Sequence, residues 1–353
     1  MKQGKSLTEL AQELERQAEI KEDYVVNTPH LRAETDQEGR TALETAGGEI
    51  VQAPVQDVPH EQIAERLKIP KRFYDRMRTG HPDLFDHTVN TLLQREPEDR
   101  MIRMLDGRVR AFLSNKYRRI DNGEVLQNVL PILQQDTSLR VQSCEVTDRR
   151  MYLKATTPRI QGEISKGDVV QSGIVIKNSE VGLGRIMVAP LIYTLACENG
   201  AIAQSFGKGK HHVGKALDPE GEVEQLLSSE AKAADDKALM LKLRDIVQAA
   251  MDQEMFNQIL AGLREARDRE VEHPTRAVEK LCQKFNMASL KEPITESFYQ
   301  NSPRNGYTQY GLLQAVTEYS QRVEDYDKAT ELEATGGKII NLAPGEWKEI
   351  ATA

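Results

Sequence analysis

Cysteine is scarce in this sequence: Cys144, Cys197 and Cys282 are the three in 353 residues. An odd, scattered set builds no disulfide framework and points to a reducing compartment. Aromatic residues make up 5% and charged residues 29%, a balance that suits a soluble chain with much exposed helix. No apolar run approaches the roughly 18 residues that a membrane-spanning helix requires. The opening MKQGKSLTELAQELERQ lacks the apolar stretch of a secretory signal. Zinc-type spacings such as CxxC, HxH and HExxH are missing, and the adjacent His211 and His212 would not aim at one ion. Neither a metal site nor a cofactor is expected. There is no repeat of fixed period and no low-complexity tract.

What is present is an uneven charge. The whole chain carries −8, yet residues 99–215 hold 18 Lys and Arg against 11 Asp and Glu. The remainder holds 29 against 44. A basic middle in an acidic frame is the footprint of a segment that meets a polyanion, although local variation in charge also accounts for it.

Hydropathy patterning divides the chain into three parts. Residues 1–98 read as a mostly helical unit: an amphipathic helix near 6–22, an extended stretch around Pro29, a polar loop or weak hairpin over 35–48, then helices from 60 onward. On the helix after Pro70, Lys71, Arg72, Tyr74, Arg76 and Arg78 read as a solvated face, with Phe73 and Met77 inward. Residues 99–219 read as an antiparallel β-rich core. Asp106-Gly107 sits between two alternating runs, a strong hairpin signal, and a helix begins near Asn122. Residues 220–353 read as a helical region with a break near Asp252. It ends in a helix capped by Gly336-Gly337 and a short strand, KIINL. The fold class expected is α+β: a central antiparallel meander with a packed helix, flanked by helical regions.

Three stretches carry candidate chemistry. The hairpin around Asp106-Gly107 bears Arg103, Arg108 and Arg110. The stretch KYRRIDN sets Tyr117 among Lys116, Arg118 and Arg119; a ring to stack on a base beside cations for phosphate suits single-strand binding. The glycine-rich KGKHHVGK supplies Lys208, Lys210, His211 and Lys215. A fourth stretch, IVIKNSEVGLGRIMV, places Asn178, Ser179 and Glu180 between two β-branched runs. Gly182 and Gly184 there suit a turn or bulge, and no helix follows to make a phosphate loop. Turn hydrogen bonds account for Asn178 and Ser179 but less well for Glu180.

In this order, LKIPKRFYDRM, LDGRVRAFLSNKYRRIDNGEVL, GDVVQSGIVIKNSEVGLGRIMV, YTLACENGAI and KHHVGK resemble the phage/plasmid-like family of domain of unknown function 932. The resemblance implies a protein of bacteria, phages or plasmids, and so the cytoplasm of a bacterial host; it supplies no reaction. The architecture is also similar, as analogy alone, to phage single-strand annealing proteins, which work as rings or filaments. The expected function is therefore single-stranded DNA binding and annealing by a homo-oligomer, without a membrane. Two other readings stand beside it. One is an enzyme with Asn178, Glu180, Glu198, Asn199 and His211 converging in a cleft. The other is a host-interaction factor that uses the acidic helices.

Overall fold

The computed structural model describes residues 1–184, 186–203 and 229–353. The first helix, α1 (Leu7–Ile20), starts where Ser6 and Glu9 cap each other: the Ser6 hydroxyl accepts the Glu9 N–H and the Glu9 carboxylate accepts the Ser6 N–H. Four short strands follow, β1 (Glu22–Asn27), β2 (Leu31–Thr35), β3 (Thr41–Thr45) and β4 (Ala53–Pro54). The polar stretch after Thr35 thus turns a hairpin, and the N-terminal unit holds a three-stranded sheet, β2-β3-β4, beside its helices. Those helices are α2 (Asp57–Arg66), α3 (Lys71–Gly80) and α4 (Pro82–Arg95).

The hairpin β5 (Asp99–Leu105) and β6 (Arg108–Ser114) forms as expected, with Asp106 and Gly107 both at positive φ, 50° and 69°. Its partner is not the meander. β5 pairs with β1 from Glu22↔Met104 to Asn27↔Asp99, giving the sheet β1-β5-β6. The reason is apolar: Ile102, Met104, Val109 and Phe112 share one core with Leu31, Leu43, Tyr74 and Phe85.

The meander comes next: α5 (Asn122–Leu133), then β7 (Arg140–Val146), β8 (Met151–Glu163), β9 (Val169–Asn178), β10 (Met187–Thr194) and β11 (Asn199–Ile202). The five strands pair antiparallel in the order β11-β10-β9-β8-β7. Alternation decides what each face meets. Met151, Leu153, Ala155, Ile174 and Ile176 pack under α1, α5 and α6 (Ser229–Ala250). Tyr152, Lys154 and Val175 lie on the other face, toward the C-terminal helices. Those helices are α7 (Gln253–Asp268), α8 (Pro274–Lys284), α9 (Lys291–Asn305), α10 (Gln309–Arg322), α11 (Tyr326–Ile340) and α12 (Pro344–Ala351). The break near Asp252 is a cap: its carboxylate accepts the Glu254 and Met255 N–H groups.

The expected terminal strand KIINL is instead the end of α11, which runs through Gly336 and Gly337 to Ile340. The two glycines are not a helix stop. A Cβ on Gly336 would lie 2.4 Å from Thr317 Cγ2, and one on Gly337 would lie 1.9 Å from the Ile202 carbonyl oxygen. The helix keeps glycine there because its backbone rests directly on α10 and β11.

Candidate functional site

The hairpin, the KYRRIDN stretch and the NSE stretch meet at one place. The β1-β5-β6 sheet turns one face to the N-terminal core. Its other face, with Met101, Ala111 and Leu113, packs on Val181, Leu183 and Tyr117. Residues 179–184 of the β9–β10 connection are therefore a wedge between two sheets. Gly182 at φ 78° and Gly184 at φ 121° permit its course, and a Cβ on Gly182 would lie 2.5 Å from Leu113.

Because both faces of the hairpin are covered, two of its arginines turn inward. Arg103 is fully buried. Its Nε and Nη2 donate to the two Asp23 oxygens at 2.7 and 3.1 Å, Nη2 also to Asp121 at 3.2 Å, and Nη1 to the Glu180 carbonyl at 2.8 Å. Burial works against the Arg103 charge, but Asp23, Glu180 and Asp121 together more than offset it and the pKa rises. Arg110 pairs with Glu180. The other Glu180 oxygen accepts the Asn122 N–H at 2.6 Å, at the first residue of α5, where the helix dipole favours a negative charge. Asp121 joins the same group; burial would raise its pKa, and Lys21 and Arg103 hold it below the usual range.

The polar residues beside them are equally occupied. Asn178 donates to the Ile120 carbonyl and to Asn122 Oδ1, both at 2.9 Å. The Ser179 hydroxyl donates to the Arg149 carbonyl at 2.9 Å and accepts the Leu183 N–H at 3.1 Å. Tyr117 lies largely inside and donates to the Ser179 carbonyl at 3.1 Å; burial raises its pKa. Its ring is not presented to solvent as a stacking surface, and Arg103 and Arg110 are not on a solvent-facing track. The interior pairings that cause this could not be read from local pattern, because Asp23 and Glu180 lie 80 and 70 residues from their arginines.

Above this group the loop between β6 and α5 is exposed. Lys116 and Arg119 face solvent, Arg118 is half-buried, and Arg108 is exposed at the hairpin turn. Arg119 reaches Asp23 at 3.2 Å while keeping 56% of its side chain exposed. Lys208, Lys210, His211 and Lys215 lie outside the described residues. A cavity of about 210 Å³ opens beside the group, where Lys21, Asp121, Glu124, Gln127 and Glu180 line the gap between α1 and α5.

Among the described residues, Asn178 and Asn199 of the polar set do not come together. Asn178 ends β9 beside α5, whereas Asn199 donates to Gln314 and Thr317 of α10. Thr194, which pairs with Asn199, lies opposite Val170, eight residues from Asn178 along β9. At about 3.3 Å per residue this separates the two asparagines by roughly 26 Å. Cys197 has Arg304 Nη1 at 3.5 Å, and burial raises its thiol pKa. No group of three or more His, Cys, Asp or Glu that could hold a metal ion occurs among the described residues.

On α3 the expected orientation is reversed at two adjacent positions. Tyr74 is buried at 1% and exchanges a hydrogen bond with His60 Nδ1 at 2.8 Å, while Phe73 is 51% exposed.

Residues 111–337 match the family described as "Domain of unknown function (DUF932)". The chain belongs to that family. The match starts inside β6 and ends inside α11, so it takes in α5, the meander and the wedge between the sheets. No curated protein and no solved structure matches the chain.

Proposed function

We propose that this DUF932 protein binds single-stranded DNA and pairs complementary strands. It would act as a homo-oligomer in the bacterial cytoplasm, during replication or recombination of a phage or other mobile element. The observation that carries the reading is the loop over 115–121: Lys116 and Arg119 point to solvent from a backbone pinned beneath by Tyr117, Asn178 and Arg103. Cations on a fixed loop meet phosphates without first having to be ordered, so little of the binding energy goes into ordering the protein. Sequence continues the theme in the lysines at 208, 210 and 215. An exposed sheet edge supports self-association, since β1 is an outer strand and Val25 is 62% exposed.

The test is fluorescence anisotropy with a labelled oligonucleotide at low and high salt. Single-strand affinity should fall steeply with salt. Lys116→Ala with Arg119→Ala should weaken it about tenfold without lowering the melting temperature. Absence of single-strand binding at low salt would end the proposal. Particle images with and without single-stranded DNA test the assembly: rings or filaments are expected.

A further inference from the structure

We infer that α2, the turn after it and α3 form a helix-turn-helix that docks α3 into the major groove of duplex DNA. This goes beyond the single-strand reading and uses a different surface, N-terminal to the family match.

The geometry is local. α2 ends at Arg66 and α3 begins at Lys71, leaving the four-residue turn Leu67-Lys68-Ile69-Pro70. Helix-turn-helix units join their helices by turns of about this length, often with glycine in the turn. Here Lys68 takes the left-handed position, at φ 54°. The Lys68 and Ile69 N–H groups close the turn onto the Glu65 and Ala64 carbonyls at 3.1 and 2.9 Å. Pro70 then starts α3 without an N–H to satisfy. Ile63, Ala64, Leu67, Tyr74 and Met77 bury the inner faces of both helices against α4.

The outer face of α3 is the second observation. Arg72, Phe73 and Arg76 are all exposed, and they share one face by helical spacing. Neither arginine makes an ion pair or side-chain hydrogen bond among the described residues. The nearest acid in sequence, Asp75, is taken by Lys71 at 2.6 Å. Arg78 points away, to the Gly39 carbonyl. Acids outnumber bases 55 to 47 in this chain, and most arginines with given contacts meet a carboxylate, so two uncompensated guanidiniums on one helical turn stand out. A lone exposed Phe needs no explanation. One flanked by two uncompensated arginines, on the second helix of such a unit, fits a groove. Arginine reads guanine edges in two-point fashion, and an aromatic ring can contact the thymine methyl.

The experiment uses the full chain with a labelled random-sequence duplex and, separately, the matching single strand. Arg72→Ala with Arg76→Ala should weaken duplex binding about tenfold or more and lower the salt slope by about 2. Single-strand affinity should stay within about twofold, because that reading rests on the Lys116–Arg119 loop. All three side chains are exposed, so a thermal melt should be unchanged. Arg72→Lys with Arg76→Lys should keep most of the overall affinity but lose discrimination among duplex sequences. Wild-type binding to single strands alone, or full duplex affinity in the double alanine variant, would overturn the inference and leave the single-strand proposal standing. Loss of single-strand but not duplex binding in the loop variant would support both.

Discussion

Lys154 on β8 and Glu333 on α11 meet at 2.7 Å with neither side chain exposed. The ammonium also donates to Thr330 Oγ1 at 3.0 Å and lies 4.5 Å from the Tyr326 ring centre. Burial pushes the Lys154 pKa down, and the Glu333 carboxylate pulls the other way. Such a pair is costly to bury and more costly to break. Glu333→Gln should therefore lower stability by about 3–5 kcal/mol, read as an earlier urea midpoint. The paired change Lys154→Met with Glu333→Leu should recover most of that loss. A double variant as unstable as the single one would mean the ions do more than satisfy each other.

His60 sets an acid sensitivity. Burial, helped by Arg78 and Lys71, depresses its pKa to about 3. The unfolded chain takes up this proton below about pH 6.5, while the folded chain resists until about pH 3. The unfolded state thus binds more protons across that window, and stability falls as pH drops through it. Between about pH 7.5 and about pH 5 this one group should remove about 2 kcal/mol. His60→Gln cannot be protonated and keeps a polar partner for Tyr74. Its stability should vary less over that range by the same amount, and an unchanged pH slope would refute the assignment.

Glu180 holds Arg110 with one oxygen and the start of α5 with the other. Removing it strands a buried guanidinium. Glu180→Ala should cost about 3–5 kcal/mol. Hydrogen exchange gives a sharper readout: amides of residues 115–123 should lose protection first. Protection lost evenly over the whole chain would argue against a local anchor.

Alanine is normally the better helix former, by about 1 kcal/mol over glycine. At Gly337 the sign should reverse, because the added carbon would collide with the Ile202 carbonyl. Gly345→Ala on α12 meets nothing within 4 Å and should be neutral or slightly stabilising. Two melting curves decide the point.

Much of this architecture was legible in the sequence wherever one short segment determines the outcome. The Asp106-Gly107 hairpin, the helix break near Asp252 and the β-branched runs on either side of Asn178-Ser179-Glu180 are local, and local chemistry decides them. The rest depends on what a segment meets. Phe73 and Tyr74 are adjacent aromatics, and only His60 and Phe85 decide which one turns in. Gly336-Gly337 reads as a stop until β11 is seen against it. Arg103 and Arg110 read as surface cations until Asp23 and Glu180 arrive from distant sequence. The pairing of β1 with the hairpin across residue 98 is another such long-range contact.

The wedge of residues 179–184 has a practical consequence for anyone shortening this protein. A fragment begun at residue 111, where the family match starts, would carry Glu180 and Asp121 into the interior but leave behind Arg103, Arg110 and Lys21. Two naked carboxylates would then sit where the chain expects neutrality. Ion pairs tie the meander to the first strands, so truncated expression should keep β1 and both strands of the hairpin.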